Sequence, residues 1–319
     1  MVRNGPGLED TASELATLLV CPLCHADLGV SASGLRCVGC GEAFDASNSG
    51  YFSFFTHDTH VNTNSQHYPE EEVRIQMANG RRQYEHFLKP LLEREAWNVI
   101  LDAGCGVGSI ARHLIADGKQ AYGIDLPLAH STWQAEELAR DRFFSCDAAR
   151  LPFRRGFFDV VYSFGVIEHI GMEDDFATPR KDHWAHRTRF AEELLRVTRV
   201  GGSVLVACPN KHFAIDVQHG PVMPPFLAIR ERIFRKSRLH LHPIWGDNHL
   251  LSHGEMERLF VLAGARKVTP LALNGYFSYT ATASGGLKVV APFIKYYVET
   301  LVPVLPRCLN PYVLVRIDK

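Results

Sequence analysis

The sequence predicts an α/β protein, a seven-stranded sheet flanked by helices, with a small metal-held module ahead of it. Three observations carry this. Short apolar runs that read as buried strands alternate with helical periodicity from residue 96 onward. The run Val99-Ile-Leu-Asp102 passes straight into the glycine-rich turn Gly104-Cys-Gly106-Val-Gly108, then into a helical pattern with Ile110, Leu114 and Ile115 on one face. Near the N-terminus, four of the eight cysteines fall into two Cys-x-x-Cys pairs.

A chain of 319 residues accommodates one large α/β domain and an appendage. At 46% hydrophobic and 22% charged residues, its composition is that of an ordinary globular protein. The net charge of −1 supplies no broad basic field, which counts against nucleic acid as the main partner. Met1 to Leu18 carries Glu9, Asp10 and Glu14 and no apolar core, so it does not read as a secretory signal. The apolar stretch Leu287 to Leu305 is broken by Lys288, Lys295, Glu299 and prolines, so it does not read as a membrane span. The expected location is cytoplasmic, with peripheral membrane contact left open. The expected organisation is a tail (1–19), the metal-held module (20–50), a linker with helices (51–95) and the large domain (96–319), with insertions at 171–189 and 211–250.

Cys21-Pro-Leu-Cys24 and Cys37-Val-Gly-Cys40 are separated by twelve residues. Each turn aims two thiolates at one point, and two turns complete a closed tetrahedral set. Gly39 and Gly41 supply the permissive backbone that tight turns need. A piece of about thirty residues cannot build an adequate core, so a metal must hold it together. Structural zinc is expected; iron is the alternative that ligand identity alone does not separate. A closed four-thiolate site has no open position and is assigned no catalysis. His25 reads as a surface residue rather than a fifth ligand. Cys105, Cys146, Cys208 and Cys308 lie in apolar surroundings and read as core fillers.

In the large domain the elements follow in order. A helix is expected from about Glu70 to Glu95, interrupted near Gly80 and Pro90. The helix after the glycine turn should end at Gly118, a C-cap residue. Gln120 to Asp125 reads as a strand ending in an acid, and so does the run from Phe143 to Asp147. Phe157 to Phe164 is a buried strand leading into Gly165-Val-Ile-Glu168-His169. A helix over Phe190 to Val197 and a strand over Ser203 to Ala207 come next. Ser252-His-Gly-Glu255 is a capping-box pattern, opening a helix that turns Met256, Leu259 and Phe260 inward and stops at Gly264. Strands over Lys267 to Leu273 and Tyr312 to Ile317 complete the sheet.

A glycine turn at a helix N-terminus brings ligand atoms against bare backbone. Asp102, immediately before the glycines, suits a cationic or hydroxyl-bearing ligand and would repel a pyrophosphate. Asp125 lies about twenty residues beyond the turn, where a ribose diol is gripped in nucleotide sites.

This ordered set, Val99 to Asn210, resembles the class I S-adenosylmethionine-dependent methyltransferases over about a third of the chain. The resemblance implies a Rossmann-like seven-stranded methyltransferase sheet, here with a small N-terminal zinc ribbon. It implies that Gly104, Gly106 and Gly108 approach the methionine moiety of S-adenosylmethionine. Asp102 would support the loop or contact the aminoacyl group. Asp125 with Leu126 would bind the ribose, Asp147 with Ala148 would lie at the adenine, and Phe164 would stand near the reactive centre. Glu168 and His169 follow the fourth strand at the carboxyl edge of the sheet, where such folds place their ligands, and are the catalytic candidates. The Glu-His pair also resembles quinone-ring O-methyltransferases and small-RNA 2′-O-methyltransferases, where a preceding glutamate completes a divalent-metal site. That position is Gly165 here, so no catalytic metal is expected.

The insertion Gly171 to Arg189, with Asp174, Asp175, His183, Trp184 and His186, is placed to cover a substrate. Pro224 to Arg238 is basic and interleaved with aromatics, suited to an anionic lipid surface or to phosphates. Three classes of function follow. The first is methylation, expected at oxygen, of a small-molecule or lipid-linked substrate. The second is RNA base methylation: Gly41-Glu-Ala-Phe44-Asp45 through Gly50-Tyr51 resembles the ribbon end of ribosomal RNA guanine-N1 methyltransferases. Against it, Phe164-Gly-Val-Ile-Glu-His169 departs from their Pro-Cys-containing motif. The third is a cofactor-sensing module whose ribbon docks a partner. The first is the expectation; the oligomeric state is left open.

Overall fold

The computed structural model describes residues 15–31, 34–46, 49–56, 67–173, 178–216, 226–237, 240–246, 248–276 and 287–319. Near the N-terminus, β1 (Leu28–Ser31), β2 (Gly34–Cys37) and β3 (Ala43–Asp45) form an antiparallel sheet in that order. One Cys-x-x-Cys turn precedes β1 and the other leaves the end of β2.

A helical rod follows: α1 (Glu70–Gln83), a π-helical turn (Tyr84–Leu88) and α2 (Lys89–Glu95). The α-helix runs through Gly80 without a break, and the interruption expected near Pro90 takes the form of the π-helical turn. Gly80 is buried at a helix crossing, where a Cβ would stand 2.6 Å from the Cβ of Ser109. Its small size serves packing rather than a break. Pro90 sits in the first turn of α2, directly after the π-helical turn. Widening the helix there relieves the clash that a proline ring makes with the carbonyl four residues back.

The large domain contains β4 (Val99–Ala103), α3 (Ser109–Ala116), β5 (Gln120–Asp125), α4 (His130–Ala135), β6 (Phe143–Ser145), β7 (Phe158–Phe164), α5 (His183–Val197) and β8 (Thr198–Pro209). Then come β9 (Ile215–Asp216), α6 (Leu227–Ser237), β10 (His240–Leu241), α7 (His253–Leu262), β11 (Lys267–Pro270), α8 (Leu287–Tyr296) and β12 (Tyr312–Asp318). The seven-stranded sheet has the order β11-β12-β8-β7-β4-β5-β6. Strands β4 to β8 run parallel, and β12 is antiparallel to both neighbours. The parallel strands are nearly continuous apolar runs because helices cover both faces. From β4 the chain builds outward through β5 and β6, then returns to the other side with β7. That reversal opens a crevice at the carboxyl ends of β4 and β7.

At α7 the capping box forms as expected. The Glu255 amide donates to the Ser252 hydroxyl, and the Ser252 amide donates to the Glu255 carboxylate at 2.8 Å. By contrast, α5 starts seven residues before the expected Phe190. Its inward face is His183, Arg187, Phe190, Ala191 and Leu194, helical spacing whose first two members are polar. The stretch expected as an insertion loop is therefore partly helix, and Asp174 and Asp175 lie outside the described residues.

The N-terminal module shares one apolar core with the large domain: Leu19, Leu28, Leu35, Phe44, Phe52 and Phe54 pack with Phe144, Leu151, Phe153 and Phe158. The segment at Ser53 also pairs parallel with Ser145 and so extends the sheet past β6. The Phe54 amide donates to the Ser145 carbonyl at 2.7 Å, and the Ser145 amide donates to the Phe52 carbonyl at 2.9 Å. Among the described residues, no helix is long and apolar enough to cross a membrane.

Candidate active site and four-thiolate centre

The crevice at the switch point is a cavity of about 900 Å³. Its floor is the glycine loop between β4 and α3. Gly104, Gly106 and Gly108 have φ of +93°, +52° and +76°, a left-handed path that side chains disfavour. The space is closed as well: a Cβ at Gly104 would strike Val166, one at Gly106 the Gln76 amide, and one at Gly108 would come within 2.6 Å of Leu138.

Each acid at a strand end reaches the cavity. Asp125 is held from two sides. The Gly106 amide donates to its Oδ2 at 2.6 Å and the Leu126 amide to its Oδ1 at 2.7 Å, while the Tyr68 hydroxyl donates to Oδ1 at 3.4 Å. Burial pushes its carboxyl up, and these donors pull against the rise. Asp102 is 4% exposed and opposes Tyr162 in the β4–β7 register. Burial pushes its carboxyl up to about 8, with the Tyr162 hydroxyl lowering it and the negative charge of Asp125 raising it. Asp147 stands two residues beyond β6, where its Oδ1 accepts from the Ala149 amide at 2.8 Å. Burial raises it, against that bond and the positive charges of Arg150, His186 and Arg189. Ala148 and Leu126 line the same end of the cavity.

Phe164, His169, Tyr276 and Tyr312 also line the cavity. The Phe164 ring lies 5.3 Å from Tyr276 and 6.0 Å from Phe87, an aromatic wall. From the 171–189 stretch come Gly171, Met172, Glu173, Arg180 and His186. Glu168 is placed elsewhere. It is fully buried and does not line the cavity, while the Arg187 guanidinium donates to its backbone carbonyl at 3.5 Å. The structure thus brings His169 to the cavity and turns its neighbour into the core.

Several residues of the site had no sequence signal. Helix α1 lies across the glycine loop: Gln76 accepts from the Val107 amide at 3.2 Å, and the Ser109 hydroxyl donates to the Met77 carbonyl at 3.0 Å. Arg82 ties the same helix to the carbonyls of Gly275 and Tyr276. Tyr68, beside Asp125, precedes α1.

In the N-terminal module, the sulfurs of Cys21, Cys24, Cys37 and Cys40 all lie within 4.8 Å of one another. Cys21 and Cys40 are 3.6 Å apart and Cys24 and Cys37 3.4 Å apart. Thiolates about 2.3 Å from a tetrahedral ion stand about 3.8 Å apart, so the donor set fits one. Amides of Gly39 and Cys40 each donate to the Cys37 sulfur at 3.3 Å. Burial raises the Cys37 thiol, but donors from Cys40 and Gly39 outweigh it and bring it down to about 6. His25 is not part of the cluster.

Sheet order, glycine loop and strand-end acids are those of the class I S-adenosylmethionine-dependent methyltransferase fold. Comparison with known proteins agrees: residues 101–206 match the methyltransferase domain family. A malonyl-[acyl-carrier protein] O-methyltransferase of Pectobacterium atrosepticum is 27% identical over 134 residues, 42% of this chain and 45% of that protein. The chloroplastic tocopherol O-methyltransferase of Arabidopsis thaliana is 32% identical over 114 residues, 34% of this chain and 29% of that protein. The Arabidopsis thaliana tRNA (carboxymethyluridine(34)-5-O)-methyltransferase is 29% identical over 109 residues, 34% of this chain and 23% of that protein. The matches span less than half the length of these curated relatives.

Proposed function

We propose that this chain transfers the methyl group of S-adenosylmethionine to an oxygen of a small or lipid-linked molecule, and that its four cysteines hold a structural zinc. The observation that carries the reading is the cavity itself. Its volume is at the upper end for small-molecule clefts, large enough for a cofactor and an acceptor together. Three acids at or just beyond strand ends, the glycine loop, the Phe164 and Tyr276 rings and His169 all line it.

When bound, S-adenosylmethionine supplies a methyl group on a sulfonium, so the protein's task is mainly to align an acceptor with it. Asp125 would take the ribose hydroxyls, Asp147 and Ala148 the adenine end, and the glycine loop with Asp102 the methionine end. His169 would accept the proton of an acceptor hydroxyl or orient it. Glu168, buried beside Arg187, would act as a positioning residue for the turn that carries His169. The closed thiolate set has no open position and would be structural.

Exposed residues support contact with an anionic membrane surface. Helix α6 turns Ile229, Arg232, Arg235 and Lys236 to solvent, and Phe226, Trp245, Phe293 and Tyr296 are exposed nearby in the sequence or on α8. Flotation with anionic vesicles, lost when Arg232, Arg235 and Lys236 become Glu, is the expected result. The acceptor is tested by incubating the protein with radiolabelled S-adenosylmethionine and a cell extract. Label should enter the small-molecule or lipid fraction; label in a specific RNA overturns the acceptor class.

A further inference from the structure

The backbone that carries the adenine end of the cavity is fastened at one end to the strand residues before Cys21 and at the other to the segment that follows β3. Ahead of Asp147, Ser145 is bracketed by the Phe52 and Phe54 backbone. Beyond Ala149, the Val20 amide donates to the Pro152 carbonyl at 2.9 Å, and Leu19 bridges Phe153. The residue after Val20 is the metal ligand Cys21. Arg154 closes the same junction, its guanidinium donating to the Thr17 carbonyl at 2.7 Å and to Asp27 at 2.8 Å. A second route runs through Glu193. Its Oε2 accepts from the Leu151 amide at 2.7 Å, while its Oε1 faces His25, next to the ligand Cys24, at 3.9 Å. Asp147, Ala148 and Ala149, which line the cavity, thus lie on a short segment with one flank beside the Cys21 turn and the other on the Phe52–Phe54 backbone.

We propose that the four-thiolate centre is an effector site for the cofactor: metal in the cysteine cluster sets the affinity of the adenine end of the cavity, through the segment Ser145 to Arg154. The proposal rests on the reading of the cluster as a zinc site and of the cavity as the cofactor site. The shared apolar core holds the strands of the module, but what joins the two cysteine turns to each other is the ion, so its loss loosens the turns and the residues next to them. Releasing the ion frees Val20 and Leu19, and with them the Pro152–Arg154 end of the segment. The cofactor must then bind a segment that it has to order. Coupling of this kind is reciprocal, so a bound cofactor must also slow the loss of the metal.

The test uses the full-length, zinc-loaded protein and S-adenosylhomocysteine as probe. Zinc release to a chromophoric chelator is followed with and without the probe, and probe affinity is measured by calorimetry before and after stripping. The expected result is at least about a fivefold loss of affinity on stripping and a similar slowing of release by the probe. Far-ultraviolet circular dichroism should show the large domain still folded after stripping. Arg154→Ala, which keeps all four cysteines, should retain zinc and probe binding but shrink the probe's effect on release. Equal release rates with and without probe overturn the proposal. So does an Arg154→Ala protein with undiminished coupling, or global unfolding on stripping. A protein that never holds zinc, or never binds the probe, fails the underlying reading instead.

Discussion

Changing Asp102 to Asn should erase a pH dependence of cofactor affinity that the unchanged protein shows between pH 6 and 8. Asp102 lies on the cavity wall, almost wholly buried, with its carboxyl pushed up to about 8 by that burial. At pH 7 about nine molecules in ten then carry it neutral. A cofactor with a sulfonium and an ammonium favours the ionised form, so binding must expel a proton. At 1.36 kcal/mol per pKa unit, that costs about 1.4 kcal/mol at pH 7, a tenfold loss of affinity, and about a hundredfold at pH 6. Affinity should therefore rise about tenfold per pH unit up to 7.5 and level off above about 8.5. The ligand's own α-amino group titrates in the same range, so calorimetry at each pH compares Asp102→Asn with the unchanged protein using one ligand. The difference between the two curves isolates Asp102, and parallel curves would refute the reasoning. The same carboxyl sets a stability trend in the free protein. Its pKa is raised from 3.8 when folded, so the stability is fully present below about pH 4 and falls as pH rises through about 8. Asp102→Asn should thus be more stable at pH 8.5, by at most about 6 kcal/mol, with the gap closing toward pH 4.

Three further outcomes are expected. His169→Gln should lower kcat by about a hundredfold or more if the residue moves a proton, with calorimetric cofactor affinity unchanged; intact kcat makes it a wall residue only. Ser252→Ala removes the hydroxyl that caps α7 and should cost about 1 kcal/mol in denaturant unfolding, with cofactor binding preserved. Methyl transfer should persist in a chelator too weak to strip the thiolate centre, because Gly165, at the head of the turn that carries Glu168 and His169, offers no side-chain ligand; loss of transfer there would show that a second metal is used.

How much of this was legible in the sequence depended on whether a feature was local. The glycine loop, the acids at strand ends, the capping box at Ser252 and the paired cysteines are each defined within a few residues, and the structure places them as read. Features set by distant packing were misread or missed. Gly80 looks like a helix breaker until Ser109, across the helix crossing, is known. His183 and Arg187 hid the start of α5, because a buried face made of a histidine and an arginine does not register as apolar periodicity. Gln76 and Tyr68 reach Val107 and Asp125 across 31 and 57 residues of chain, so nothing in their neighbourhood announced them. Glu168 and His169 are adjacent in sequence, yet the short turn Ile167–His169 sends one into the core and the other to the cavity.

The proposed function rests most directly on the proposed grip of Asp125 on the cofactor's ribose. Calorimetric titration of the purified protein with S-adenosylhomocysteine should give one site per chain with micromolar affinity. In Asp125→Ala the affinity should fall about tenfold to more than a hundredfold, the loss of roughly 1.5–3 kcal/mol carried by a hydrogen bond to a charged group. Absence of binding, undiminished affinity in Asp125→Ala, or tight binding of a nicotinamide dinucleotide in its place would contradict the account.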